Sequence, residues 1–239
     1  MEFKLWALLL LIADRGGLRR PRPGTTGWVL DAGANDGETA VMLAKALRSL
    51  RLNVLAVEPL ANNVQAAHAK AQRMDNLEVR LAGLGAVNGS TAHYPKHIDN
   101  RRSGLFAQVT SFKPHDIQGE GTYPIMTIDA LFGEETGRSL VLAHLDLEGR
   151  EADAFRGAMA TFRRDRPVIA VETCNSSWMG LRRRHQAVMA QLEALRYDVY
   201  TVEESVGYIA DARNRLAIPR EDRHLRWIVE HYFATPWVA

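Results

Sequence analysis

The chain has 239 residues, 46% of them hydrophobic and 24% charged, which excludes a disordered chain and gives room for one sizeable α/β domain rather than two. A formal net charge of +2 supplies no whole-molecule field for a polyanion, so nucleic acid is not an expected partner. The single cysteine, Cys174, excludes an intrachain disulfide and a cysteine-built zinc centre; no metal is expected, and a reducing, cytoplasmic setting suits such a chain.

Residues 5–13 form an apolar run behind Lys4, and Arg15, Arg19, Arg20 and Arg22 follow it. A membrane span needs about twenty apolar residues, so this run does not cross a bilayer by itself. It reads as a short helix packed on the domain; the alternative is a signal or anchor within residues 1–20 that would direct the chain to the secretory pathway. Turn formers at Gly16-Gly17 and across 21–27 set residues 1–26 apart from a single domain over 27–239.

Beyond the linker, short apolar runs alternate with amphipathic segments, the pattern of a parallel sheet with crossover helices. A first strand at 28–30 leads to a helix over 38–49, a strand at 54–57, a helix starting after Pro59 and a strand over 77–82. Residues 83–123 break the rhythm with Gly, His, Asn and Pro. They read as loops with short antiparallel strands, long enough to form a lid or substrate wall. Order resumes with a short helix at 127–132, a strand at 140–145, a helix over 151–162, a strand at 168–171 and a helix over 185–195. Two strands at 198–202 and 206–210 read as a C-terminal antiparallel hairpin, followed by a helix at 227–233. The arginine clusters at 19–22, 163–166 and 182–184 read as solvated faces or turns.

Asp31-Ala32-Gly33-Ala34-Asn35-Asp36-Gly37 stands directly between a buried strand and a helix. Gly33 and Gly37 permit a sharp turn and close approach of a ligand to the backbone. The helix N-terminus behind them favours a carboxylate or phosphate, and Asp31 could hold a cationic amine. An amine and a carboxylate together describe an amino acid, and the methionine half of S-adenosylmethionine carries both. A dinucleotide fingerprint would need a third glycine at another spacing, and a phosphate-binding P-loop would need Gly-Lys-Ser or Gly-Lys-Thr; neither is present.

Glu58 closes the second strand, with Pro59 behind it. An acid at that strand end can accept hydrogen bonds from both ribose hydroxyls of an adenosyl group, although alone such a residue is more often a helix cap than a ligand. Farther on, His144-Leu145-Asp146-Leu147-Glu148-Gly149-Arg150-Glu151 leaves the sheet at its carboxyl edge, where open α/β folds bind ligands. Asp146 and Glu148, two residues apart, suit proton abstraction or substrate orientation. Glu151 reads better as a cap at the helix N-terminus.

These stretches resemble the FkbM family of S-adenosylmethionine-dependent methyltransferases. The likeness is carried by 29–37, by Val57-Glu58-Pro59 and by 145–151, with echoes at 126–131 and 167–172. The resemblance implies a three-layer, Rossmann-like class I methyltransferase fold with a seven-stranded, mostly parallel sheet. It implies O-methylation of a hydroxyl on a sugar, glycan or small natural product. Cofactor contacts would fall at Asp31, Gly33, Ala34, Asn35, Gly37, Glu58 and Pro59, with Gly83 and Leu84 at the adenine and Asp146 beside the transferable methyl. Glu148 and Glu172 would lie on the substrate side. The family commonly has a lysine two residues before the Asp of its Asp-x-Glu-Gly motif, where this chain has His144; that position offers either a titratable imidazole or a packed strand histidine.

Candidates for the base are thus Asp146, Glu148 and His144, with His93, His97 and His115 of the insert as outsiders. An RNA methyltransferase on the same fold is one rival reading, although the Asn/Asp-Pro-Pro-aromatic motif of base-amine methylation is missing. A non-catalytic protein that keeps the donor pocket is the other.

Overall fold

A computed structural model describes residues 3–93, 122–174, 181–202, 212–232 and 234–236. The strands are β1 (Thr26–Ala32), β2 (Asn53–Glu58), β3 (Leu77–Leu81), β4 (Gly83–Leu84), β5 (Thr91–His93), β6 (Thr122–Met126), β7 (Arg138–Leu145), β8 (Val168–Cys174), β9 (Tyr197–Val202), β10 (Ala212–Pro219) and β11 (Ala234–Pro236). The helices are α1 (Phe3–Asp14), α2 (Glu38–Ala46), α3 (Ala61–Ala71), α4 (Ile128–Leu131), α5 (Glu151–Arg156), α6 (Met159–Asp165), α7 (Leu181–Ala194) and α8 (Arg223–Tyr232).

The main sheet runs β11-β9-β10-β8-β7-β1-β2-β3. From β3 to β8 all neighbours are parallel; β10 is antiparallel to both β8 and β9. Seven of these strands form the mostly parallel sheet that the resemblance implies, and β11 adds an antiparallel edge beside β9. The parallel strands read as unbroken apolar runs because both faces are covered. Val29, Val54 and Val141 face one core under α1, α2, α3 and α8; Leu30, Leu55 and Leu140 face the other under α4 to α7. Leu5, Leu8, Leu9 and Ile12 of α1 are buried in the first of these cores, continuous with β1 and α2.

The chain lays down β1, β2 and β3 outward on one side, then returns to place β7 and β8 on the other. That reversal opens a crevice at the carboxyl edge between β1 and β7.

The structure departs from the sequence reading at four places. The second hairpin arm is β10 at Ala212–Pro219, not 206–210, which lies outside the described residues. Within the insert β5 does pair antiparallel with β6, but β4 pairs with β6 in parallel, and 94–121 lie outside the described residues. The helix expected over 38–49 ends at Ala46 and tightens into a 3₁₀ turn, Arg48–Leu50. The helix expected over 151–162 is two helices broken at Gly157. A Cβ there would stand 2.1 Å from the backbone oxygen of Gly85, and the carboxylate of Asp129 accepts from the amides of Ala160 and Thr161 to start α6 afresh.

Candidate active site

The turn after β1 is held from both sides. The amides of Gly33 and Ala34 donate to the Val57 carbonyl at 2.9 and 3.2 Å, and the Asp146 amide donates to the Ala32 carbonyl at 3.0 Å. Gly33 (φ 84°) and Gly37 (φ 81°) take left-handed conformations, as does Asn35 at 49°. A Cβ on Gly37 would come within 2.7 Å of Ala67 Cβ, so that glycine lets α2 start against α3. The amides of Gly33, Ala34, Asn35 and Gly37 are all engaged within the protein. The turn therefore offers a ligand its open backbone surface and the field of α2.

Glu58 ties this turn to the next one. Its Oε2 accepts from the Asn35 amide at 3.0 Å; its Oε1 accepts from the Leu60 amide at 3.0 Å and from Asn63 Nδ2 at 3.3 Å. A carboxylate has about four lone-pair positions, so a single one, on Oε2, is left for a ligand. Burial pushes the Glu58 carboxyl above its ordinary range despite these three donors.

After β7 the chain turns through Glu148 (φ 52°) and Gly149 (φ 91°). Glu151 folds this loop rather than merely capping α5: its Oε1 accepts from the amides of Leu147 at 3.0 Å and Gly149 at 2.9 Å. Burial, and to a smaller degree the charge of Asp146, push its carboxyl up to about 7.

Beneath the turn, Asp31 Oδ1 lies 2.8 Å from His144 Nδ1, with both side chains buried, and Trp6 of α1 packs edge-on against the imidazole at 4.7 Å between ring centroids. Buried Asp31 Oδ2 and Asp146 Oδ1 accept no hydrogen bond among the described residues. Above the turn a cavity of about 460 Å³ opens at the carboxyl edge of the sheet. It is lined by Gly33, Asn35, Glu58, Pro59, Gly83, Leu84, Asp146 and Glu148, with Asn63, Tyr123, Ile125, Arg150 and Asp153 completing the wall.

The model of the methyltransferase FkbM domain matches residues 31–199, the span that holds this cavity. The chain belongs to the FkbM methyltransferase family. Among solved structures it is similar to the methyltransferase FkbM of Methylobacillus flagellatus KT, at 16% identity and a TM-score of 0.52, covering 90% of this chain and 55% of that one. It thus spans about half the length of that relative. A putative rRNA methylase of Clostridium thermocellum matches at 10% identity and TM-score 0.49, over 90% of this chain and 94% of that one. An O-methyltransferase of Bacillus cereus, solved in complex with SAH, matches at 14% and 0.48, over 89% and 79%. No curated protein matches the chain.

Within this FkbM chain the cavity gathers most of the residues singled out from sequence, but not all. Asp31, Ala34, Gly37 and His144 lie under or behind the turn and do not line it. Glu172 stands on β8, in register with Asn214 of β10, away from the cavity wall. His97 and His115 lie outside the described residues, as does the side chain of His93. Sequence reasoning missed Asn63 and misread Glu151. Asn63 had a signal: it is a polar residue on the stripe of α3 that otherwise buries Val64, Ala67 and Ala71. Glu151 had none, because its partners are backbone amides. Among the described residues no helix is long and apolar enough to cross a membrane, and no group of three or more His, Cys, Asp or Glu is placed to hold a metal ion.

Proposed function

We propose that the chain transfers a methyl group from S-adenosylmethionine to a hydroxyl oxygen on a sugar, glycan or small natural product. The observation that carries the reading is the cavity itself. There Glu58, with one lone pair left on Oε2, meets the backbone of Gly33 and the loop of Asp146 at the carboxyl edge of the sheet, and the buried Oδ1 of Asp146 has no donor among the described residues. A buried carboxylate oxygen without a donor suits a ligand that brings one.

In this reading Glu58 takes one ribose hydroxyl on Oε2. Asn35, Pro59, Gly83 and Leu84 wall the nucleoside, while Gly33, backed by Ala34, Gly37 and the Asp31 carboxylate, borders the amino-acid end. When bound, the donor supplies an electrophilic methyl on a sulfonium. The protein's part is to align the acceptor and exclude water. Asp146 accepts the hydroxyl proton in this reading, with Glu148 as its companion; both line the cavity. His144 does not reach the cavity and acts through Asp31, as a positioning residue.

A screen of hydroxylated acceptors, glycans first, with a labelled methyl donor tests this. Label on an acceptor oxygen with matching release of S-adenosylhomocysteine is expected; label found only on nitrogen or on RNA would overturn the assignment.

A further inference from the structure

Helix α7 opens with Arg182, Arg183 and Arg184 and has no acidic residue in its first turn. Cations there oppose the helix dipole, an arrangement that a bound anion would relieve. The fold brings two more arginines to the same place. A groove of about 190 Å³ between α5 and α7 is lined by Arg150, Asp153, Arg156, Arg183 and Arg184, with Gly149 and two alanines as its floor. Four guanidiniums and one carboxylate thus line the groove. Asp153 holds both Arg150, at 3.3 Å, and Arg156. Arg183 is exposed and makes no ion pair among the described residues. Arg150 and Asp153 line the donor cavity as well, so the groove leads off it.

We propose that this groove binds a phosphate or diphosphate carried by the methyl acceptor, an inference that rests on the methyl-transfer reading. Planar guanidiniums take phosphate oxygens two at a time, and the exposed Arg183 beside the Arg150 and Arg156 that Asp153 holds presents the multiple donors that a dianion accepts. The cluster is confined to one groove on a chain whose net charge is only +2. That favours a small anionic group over a nucleic-acid backbone, which needs a continuous basic track.

Inorganic pyrophosphate is the probe, titrated at low salt into the full chain, its Arg156→Ser/Arg183→Ser variant and an Arg163→Ser control that removes an exposed charge elsewhere. S-adenosylhomocysteine affinity is measured in the same proteins. The double variant is expected to bind pyrophosphate at least about tenfold more weakly, with S-adenosylhomocysteine affinity unchanged and Arg163→Ser like the parent. The proposal is overturned if the parent binds no pyrophosphate at 10 mM, roughly the weak limit for a single small anion. It is also overturned if the control loses as much as the double variant, or if a single-stranded RNA depends on these arginines while pyrophosphate does not. Absence of S-adenosylhomocysteine binding would instead strike the methyltransferase reading, whatever pyrophosphate does.

Discussion

A Cβ on Gly33 would stand 1.8 Å from the backbone oxygen of Asp146, so the turn that follows β1 and the loop that follows β7 can meet only through a glycine. Gly33→Ala must push the loop away as well as accept a left-handed backbone. It is expected to lower stability by about 2 kcal/mol or more and to weaken S-adenosylhomocysteine binding at least about tenfold. Gly24 has a similar φ, 76°, with nothing within 4 Å of a Cβ. Gly24→Ala should therefore show only the backbone strain, about 1 kcal/mol, with affinity intact. Equal effects of the two substitutions in thermal melts and calorimetry would remove the contact from the account.

Asp31 and His144 form a buried pair, and removing one partner strands the other. His144→Leu is expected to cost about 3–5 kcal/mol. Asp31→Ala/His144→Leu should cost clearly less than the sum of the single changes, by about 1 kcal/mol or more of coupling. Urea unfolding of the four proteins measures this. Strict additivity would mean that the 2.8 Å contact contributes nothing.

Glu151 gives the fold a pH dependence of known sign. Its carboxyl is raised from 4.5 to about 7 in the folded chain. Between those values the native state holds the proton more often than the unfolded one, so stability falls as pH rises through the window and is flat above it. Gln keeps an oxygen for the amides of Leu147 and Gly149 and cannot titrate. Relative to Glu151→Gln, the parent should lose up to about 3 kcal/mol between pH 4.5 and pH 7. A difference that does not change with pH in denaturant titrations would show that Glu151 titrates normally.

Much of this architecture was legible in the chain because parallel strands covered on both faces must be written as unbroken apolar runs. Val29-Leu30 and Val54-Leu55 divide between the two cores as that pattern requires. The cavity wall was legible in part, since Gly33, Asn35, Glu58, Asp146 and Glu148, singled out at strand ends, do line it. The distribution of roles was not. Gly33 looked like a place for a ligand to approach, yet what presses on it is the Asp146 carbonyl, a contact between segments far apart in sequence. Glu58 looked free to take both ribose hydroxyls, yet three protein donors occupy it. Helix breaks such as Gly157 follow from a neighbouring loop that no local window contains. Arg19 and Arg166, read as solvated charge, both hold Glu221; the Arg166 hydrogen bond above all, with the charges of the two arginines, keeps its carboxyl well below the usual range, down to about 2.

The most direct measurement is calorimetric titration of S-adenosylmethionine into the parent chain and Glu58→Ala, with circular dichroism confirming that both are folded. The account predicts one saturable site in the parent and a loss of about 1.5–3 kcal/mol in the variant, roughly 10- to 150-fold in affinity. No saturable heat in the parent, or identical affinities in the two folded proteins, would contradict it.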